Sequence, residues 1–272
     1  MKIKITLNNK IYSCDTENPL DISIPLIFNG AQPNTYGVYN AAAEAYEKDS
    51  FVGDTRRGGG CNFEEYKLIP HCNGTHTEGV GHISLERISI HGILKESFIP
   101  STLITIQPEK ANDSDDNYIP GKNDKDLLIT KRILEEKLTD ACKEFLEGVI
   151  IRTLPNDDSK KSRQYMKEQP PYFSIEAMEY ILKLNVKHLL MDIPSVDRTF
   201  DEGKLTSHHI FWNVPLGSND VDRNEHSRKT ITEMIYAADE IEDGKYFTNI
   251  QIPDFVADAA PCRVLVYKVE GS

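Results

Sequence analysis

The sequence predicts a mixed α/β fold in a single domain spanning residues 1–272, and three observations carry that expectation. Apolar residues alternate at both ends of the chain, two stretches carry them at helical spacing, and a strand, helix, strand succession runs from Val149 to Met191. The N-terminal alternation is Lys2-Ile3-Lys4-Ile5-Thr6-Leu7, a half-exposed strand, and a polar stretch then leads to Leu20-Asp21-Ile22-Ser23-Ile24-Pro25-Leu26. Ile133, Leu134, Leu138, Ala141, Cys142, Phe145 and Leu146 share one face of a helix that Gly148 is placed to stop. Val149-Ile150-Ile151 enters a buried strand. Ser174 caps a second helix with the apolar stripe Ile175, Met178, Ile181 and Leu182, and Val186 to Met191 forms another buried strand. This succession implies a right-handed parallel crossover, with catalytic elements at the strand ends near Arg152-Thr153 and Asp192-Ile193-Pro194-Ser195. Arg263 to Val269 alternates again as a closing strand, while residues 108 to 126 and 155 to 171 are polar surface loops.

Bulk properties exclude several function classes. Hydrophobic residues at 39% and charged residues at 27% fit an ordinary globular chain rather than a disordered one. A net charge of -12 disfavours nucleic acid, whose phosphates demand clustered Lys and Arg. No run of about 18 apolar residues is present to span a bilayer, and the first twenty residues lack the apolar centre of a secretory signal, so the expected location is cytoplasmic. Five cysteines without a CxxC pair suggest neither a disulfide framework nor a zinc ribbon. Gly58-Gly59-Gly60 lacks the Lys-Ser or Lys-Thr of a phosphate loop and reads as flexible backbone.

The chemistry concentrates in His71-Cys72-Asn73-Gly74-Thr75-His76-Thr77-Glu78-Gly79-Val80-Gly81-His82. Three imidazoles, a thiol and a carboxylate are ligand types that zinc and similar ions take, and hydrolytic sites use them while keeping one position for water. In an extended stretch His76 and Glu78 point to the same side, and Gly74 permits a bend that brings Cys72 round to them. His82, beyond two glycines, is placed to act as general base and then acid, since imidazole ordinarily titrates near neutrality. A second cluster, Ser207-His208-His209-Ile210-Phe211-Trp212, precedes a polar insertion and then Glu233 in an otherwise apolar run, where a carboxylate is paired or metal-bound if buried. Alternation would put His208 and His209 on opposite faces, and His208 is favoured as the ligand. Cys72 packs equally well as a small buried hydrophobe.

These residues resemble the cyclase family of metal-dependent hydrolases, which includes bacterial kynurenine formamidases and isatin hydrolases and carries the signature His-x-Gly-Thr-His-x-Asp-x-Pro-x-His. The likeness extends through Leu20-Asp21-Ile22-Ser23, Gly53-Asp54-Thr55, Ile151-Arg152-Thr153, Asp192 to Asp197, His208, Glu233 and Ala260-Pro261-Cys262-Arg263-Val264. The resemblance implies a swivelling β/β/α domain with a barrel-like mixed sheet, a small-molecule substrate of the arylformamide class, and assembly as a homodimer or homotetramer. It implies metal ligands at Cys72, His76, Glu78, His208 and Glu233 and a catalytic role for His82. Zinc is the expected ion, with manganese the alternative, and one or two ions are held. The chain departs from the signature where Cys72 replaces the first His, Glu78 the Asp and Val80 the Pro. His71, one residue early, stands as the substitute for Cys72 if the strand bulges. A thiolate in that place would be softer than imidazole and shift preference toward zinc.

Overall fold

The computed structural model of the protein describes residues 1–270. Among them, nine strands form one mixed sheet: β1 (Leu20–Asp21), β2 (His76–Glu78), β3 (Ile99–Ile106), β4 (Gly148–Thr153), β5 (His188–Met191), β6 (Thr230–Glu233), β7 (Gly244–Gln251), β8 (Ala259–Pro261) and β9 (Arg263–Lys268), in the spatial order β8-β2-β6-β5-β4-β3-β7-β9-β1. The four central strands, β3 to β6, run parallel, and every flanking pair is antiparallel. All residues of β4 and β5 are buried, as expected of parallel strands covered on both faces.

One face packs against α1 (Lys131–Leu138) and α2 (Ile175–Lys183) through Ile133, Leu134, Met178 and Ile181, which join Val149, Ile151, Leu189 and Met191 in the main core. Ser174 Oγ accepts from the Ala177 amide and caps α2 as its sequence predicts. The other face, with Ile150 and Leu190, packs on Ile22, Ile99, Leu103 and Val264. The first predicted strand is Lys2–Leu7, paired in a hairpin with Lys10–Asp15. The large mixed sheet with few helices agrees with the predicted α/β class, and no helix among the described residues is long and apolar enough to cross a membrane.

Two local expectations are corrected. The helix predicted through Leu146 ends at Leu138, and a separate 3-10 turn covers Lys143–Phe145. Phe145 belongs to a different cluster, packed against Tyr12 and Phe247, so the chain must leave the helix axis to reach it. Gly148 is no helix stop: it opens β4 opposite Ser101, and a Cβ there would meet Ser101 Oγ at 2.2 Å. The glycine serves close strand approach.

At the C-terminal ends of the parallel strands, polar residues replace the core. Asp192, just past β5, accepts from the Thr153 amide, the Thr153 hydroxyl and Lys160 Nζ, the last at 2.7 Å. Arg152 donates to the carbonyls of Ala238 and Ile241 and reaches Asp243. Both residues fasten loops to strand ends, at the edge of the predicted functional region.

Candidate metal centre

β2 lies between β6 and β8, so its three residues are all buried. Strand alternation turns His76 and Glu78 to one face and Thr77 to the other, where Thr77 Oγ1 meets Thr232 Oγ1 at 2.8 Å. Register places Glu233 of β6 directly opposite His76. Their side chains converge, with His76 Nε2 3.3 Å from Glu233 Oε2.

The tautomer of His76 is fixed by its backbone. A carbonyl oxygen only accepts, so Nδ1–H donates to Gly74 O at 3.0 Å and Nε2 presents its lone pair. Burial pushes this imidazole down to about 4, and Nε2 has no hydrogen-bond partner. A lone pair thus faces carboxylate oxygen, an arrangement that calls for a cation or a proton between them. Burial, then the charge of Glu78, pushes Glu233 up to about 8. One ligand atom each from His76, Glu78 and Glu233 lies within 4.8 Å of the others. The donor set of one imidazole nitrogen and two carboxylates suits a divalent ion of the zinc type.

Glu78 also meets a second set of imidazoles. His208 Nε2 is 2.9 Å from Glu78 Oε1, while Nδ1 is 2.5 Å from Asp197 Oδ2. Burial alone would depress His208, but the hydrogen bonds to Asp197 and Glu78 raise it well above its ordinary value. Burial opposes ionisation of Glu78 too, yet His82, His208 and His71 hold it well below the carboxylate range. Asp197 is itself fully engaged, accepting from the Tyr118 hydroxyl and from the amides of Ser207 and His208.

The element bearing His208 differs from the alternating stretch expected. It is α3 (Thr206–Trp212), a helix whose first amides the Asp197 carboxylate satisfies. On a helix His208 and His209 diverge by about 100°. His208 enters the cluster, whereas His209 joins none of its ligand groups.

His82 closes a 3-10 turn, Val80–His82, that folds tightly because Gly81 approaches Ile88 O where a Cβ would stand at 1.9 Å. Its Nδ1 is 3.6 Å from Asp258 Oδ2 and 3.8 Å from Glu78 Oε2, and its ring stacks on His71 at 4.5 Å between centroids. The His82 side chain keeps 27% of its surface exposed, against 1% for Glu78, so it stands at the solvent side of the cluster. His71 Nε2 lies 3.2 Å from Asp258 Oδ2 and 3.4 Å from Glu78 Oε2. Both imidazoles draw Asp258 well below the carboxylate range, His71 foremost.

Cys72 is set apart from these groups. Pro70–Asn73 is a helical turn rather than an extended strand, which takes Cys72 out of the period of two that would align it with His76 and Glu78. The thiol lines the same cavity of about 250 Å³, together with Tyr36, Ser195 and Leu205, but its sulfur joins none of the ligand groups. Burial, then Glu233, pushes it up to about 11. Asp197 and Asp258 are the additions that the structure makes to the sequence-derived set, while His71, the substitute for Cys72 in the sequence reading, lies beside Glu78. Asp197 closes the Asp192 to Asp197 segment of the family resemblance, whereas Asp258 lies outside every such segment and comes near only through the pairing of β8 with β2.

Residues 17–198 match the model of the Cyclase family, described as "Putative cyclase". The chain belongs to the cyclase family. Its fold is shared by a structure described as a potential metal-dependent hydrolase with cyclase activity, at a TM-score of 0.58 and 16% identity over 92% of this chain and 98% of that one. A predicted metal-dependent hydrolase from Bacillus stearothermophilus aligns at 0.55 and 16%, over 92% and 98% of the two chains. Isatin hydrolase A from Labrenzia aggregata aligns at 0.57 and 14%, over 93% and 94%. No curated protein matches the chain by sequence.

Proposed function

We propose that this cyclase-family chain is a metal-dependent hydrolase of amide-type C–N bonds, with arylformamides such as N-formylkynurenine as the leading substrate class. The observation that carries the reading is the buried, unpartnered His76 Nε2 turned toward Glu233, with Glu78 close by, a donor set suited to a divalent cation. His76, Glu78, Glu233 and His208 would hold the ion, zinc by preference and manganese as the alternative, with His71 rather than Cys72 nearest to completing the shell. When bound there, the ion supplies Lewis acidity toward a water and a carbonyl oxygen.

The chain's own residues supply the rest. Asp197 fixes the His208 ring and leaves Nε2 directed at the cluster. With Nδ1 of His82 facing Glu78 and Asp258, Nε2 is the nitrogen left to exchange a proton with substrate. It takes a proton from the attacking water as the C–O bond forms and returns it to the departing nitrogen as the C–N bond breaks. Tyr36 and Leu205 at the cavity wall offer the substrate aromatic and apolar contact. A single domain, a cytoplasmic location and a homodimeric or homotetrameric assembly belong to the same proposal.

Metal analysis of the purified protein, with hydrolysis assays on N-formylkynurenine and a panel of amides, lactams and lactones, tests it. Lactams enter because one structural neighbour is an isatin hydrolase, and isatin is a cyclic amide. His82→Ala is expected to lower kcat about 10²- to 10⁴-fold with bound metal retained; unchanged kcat removes His82 from proton transfer. A second reading, a metal- or small-ligand-binding protein with altered catalysis, is favoured by Cys72 occupying the family's first ligand position outside the ligand groups. Stoichiometric metal with no activity on the panel selects it.

A further inference from the structure

The three parallel strands β3, β4 and β5 start side by side at the end of the sheet opposite Asp192 and Glu233. Three ligand-type residues meet at those starts: Glu96 shortly before β3, Glu147 immediately before β4, and His188 as the first residue of β5. One ligand atom of each lies within 4.8 Å of the others.

His188 is what separates this group from an ordinary acidic edge. Its side chain is 1% exposed, Nδ1 is engaged with Thr230 Oγ1 at 2.8 Å, and Nε2 has no hydrogen-bond partner. Nε2 points toward Glu96 Oε2 at 3.9 Å, beyond a direct hydrogen bond. A buried imidazole nitrogen without a partner is costly. Its cross-strand partner on β6, Thr230, supplies the kind of outer hydrogen bond that orients an imidazole ligand.

We propose that Glu96, Glu147 and His188 form a second divalent-cation site, separate from the His76 centre, that ties together the starts of three adjacent parallel strands. One imidazole and two carboxylates favour Zn²⁺ or Mn²⁺ over Ca²⁺, which prefers an all-oxygen shell. Lys187 Nζ holds Glu147 Oε1 at 2.6 Å, so the second oxygen of Glu147 is the one offered to the ion. Water fills the remaining positions, since the Glu96 side chain is 40% exposed.

Zn²⁺ titration calorimetry on the full chain tests the site. The proposal expects Glu96→Gln, Glu147→Gln and His188→Gln each to bind one equivalent fewer than the parent. It also expects Zn²⁺ to raise the Tm of a His76→Ala variant and to leave a His76→Ala, Glu96→Gln double variant unmoved by that increment. Glu96 reaches the surface, so its variant answers even if His188→Gln fails to fold. An unchanged Zn²⁺ count in Glu96→Gln, or an equal Tm rise in both His76→Ala backgrounds, overturns the proposal.

Discussion

His76 and Glu233 are direct cross-strand partners, and the imidazole Nε2 of one stands 3.3 Å from the carboxylate of the other, its lone pair turned toward the carboxylate oxygen. The Gly74 carbonyl sets this orientation by accepting the proton of Nδ1. A cation seated there stabilises the folded chain through its binding free energy, about 2.7 kcal/mol when free ion stands at 100 times Kd. Treatment with a chelator should therefore lower the Tm measurably, and His76→Ala should reduce that chelator-dependent shift. Coincident melting of treated and untreated protein would sink the cation reading of the cluster.

Asp197 acts on the cluster only through His208. It collects four hydrogen bonds, from Tyr118, the Ser207 and His208 amides, and His208 Nδ1. Asp197→Asn keeps the shape but halves the accepting capacity and frees the ring to turn. Metal affinity is expected to fall about 10- to 100-fold, as for other partners that orient an imidazole ligand. Competition with a fluorescent chelator measures it, and equal affinity in Asp197→Asn and the parent would exclude the positioning role.

His76 and Glu78 were legible in the sequence because the period of two that makes them neighbours on paper is the period of the strand they occupy. His208 was legible as a cluster member but not in its setting. The carboxylate that caps its helix comes from Asp197, across a turn that local pattern does not encode. Asp258 left no local signal, since only the pairing of β8 with β2 brings it to His71 and His82. Cys72 shows the converse: spacing assigns it a ligand's place, and one helical turn at Pro70–Asn73 rotates it away. The overrun of the first helix past Leu138 has a similar origin, because Phe145 continues the helical period while packing in a different cluster.

Lys160 and Asp192 form a buried ion pair at 2.7 Å, with side chains 3% and 0% exposed. Lys160 comes from the polar segment between residues 155 and 171 and pins it beneath the strand ends. Lys160→Met leaves the Asp192 carboxylate buried without its counter-ion, a loss expected at about 3–5 kcal/mol. Adding Asp192→Asn removes the stranded charge and should recover part of that loss. Urea denaturation of both single variants and the double variant gives the coupling energy; additive effects would show that the two groups do not act as a pair.

Glu144 links the N-terminal hairpin to the body of the molecule and should leave a mark on acid stability. Its carboxylate accepts from Cys142 Sγ and from Lys10 Nζ, each at 3.1 Å. The hydrogen bond from Cys142, then its own backbone amide and Lys10, lower it from 4.5 to about 2. Because the folded value lies below the unfolded one, the unfolded chain takes up the proton first as the solution is acidified. The stabilising contribution is thus complete above pH 4.5, shrinks as pH falls toward 2, and is gone below that. Glu144→Gln removes the titrating group, so its urea midpoint should change less than the parent's across that window, and the two proteins should converge in stability at the acid end. Parallel profiles for variant and parent would show that the Cys142 and Lys10 contacts do not hold Glu144 ionised in the folded state.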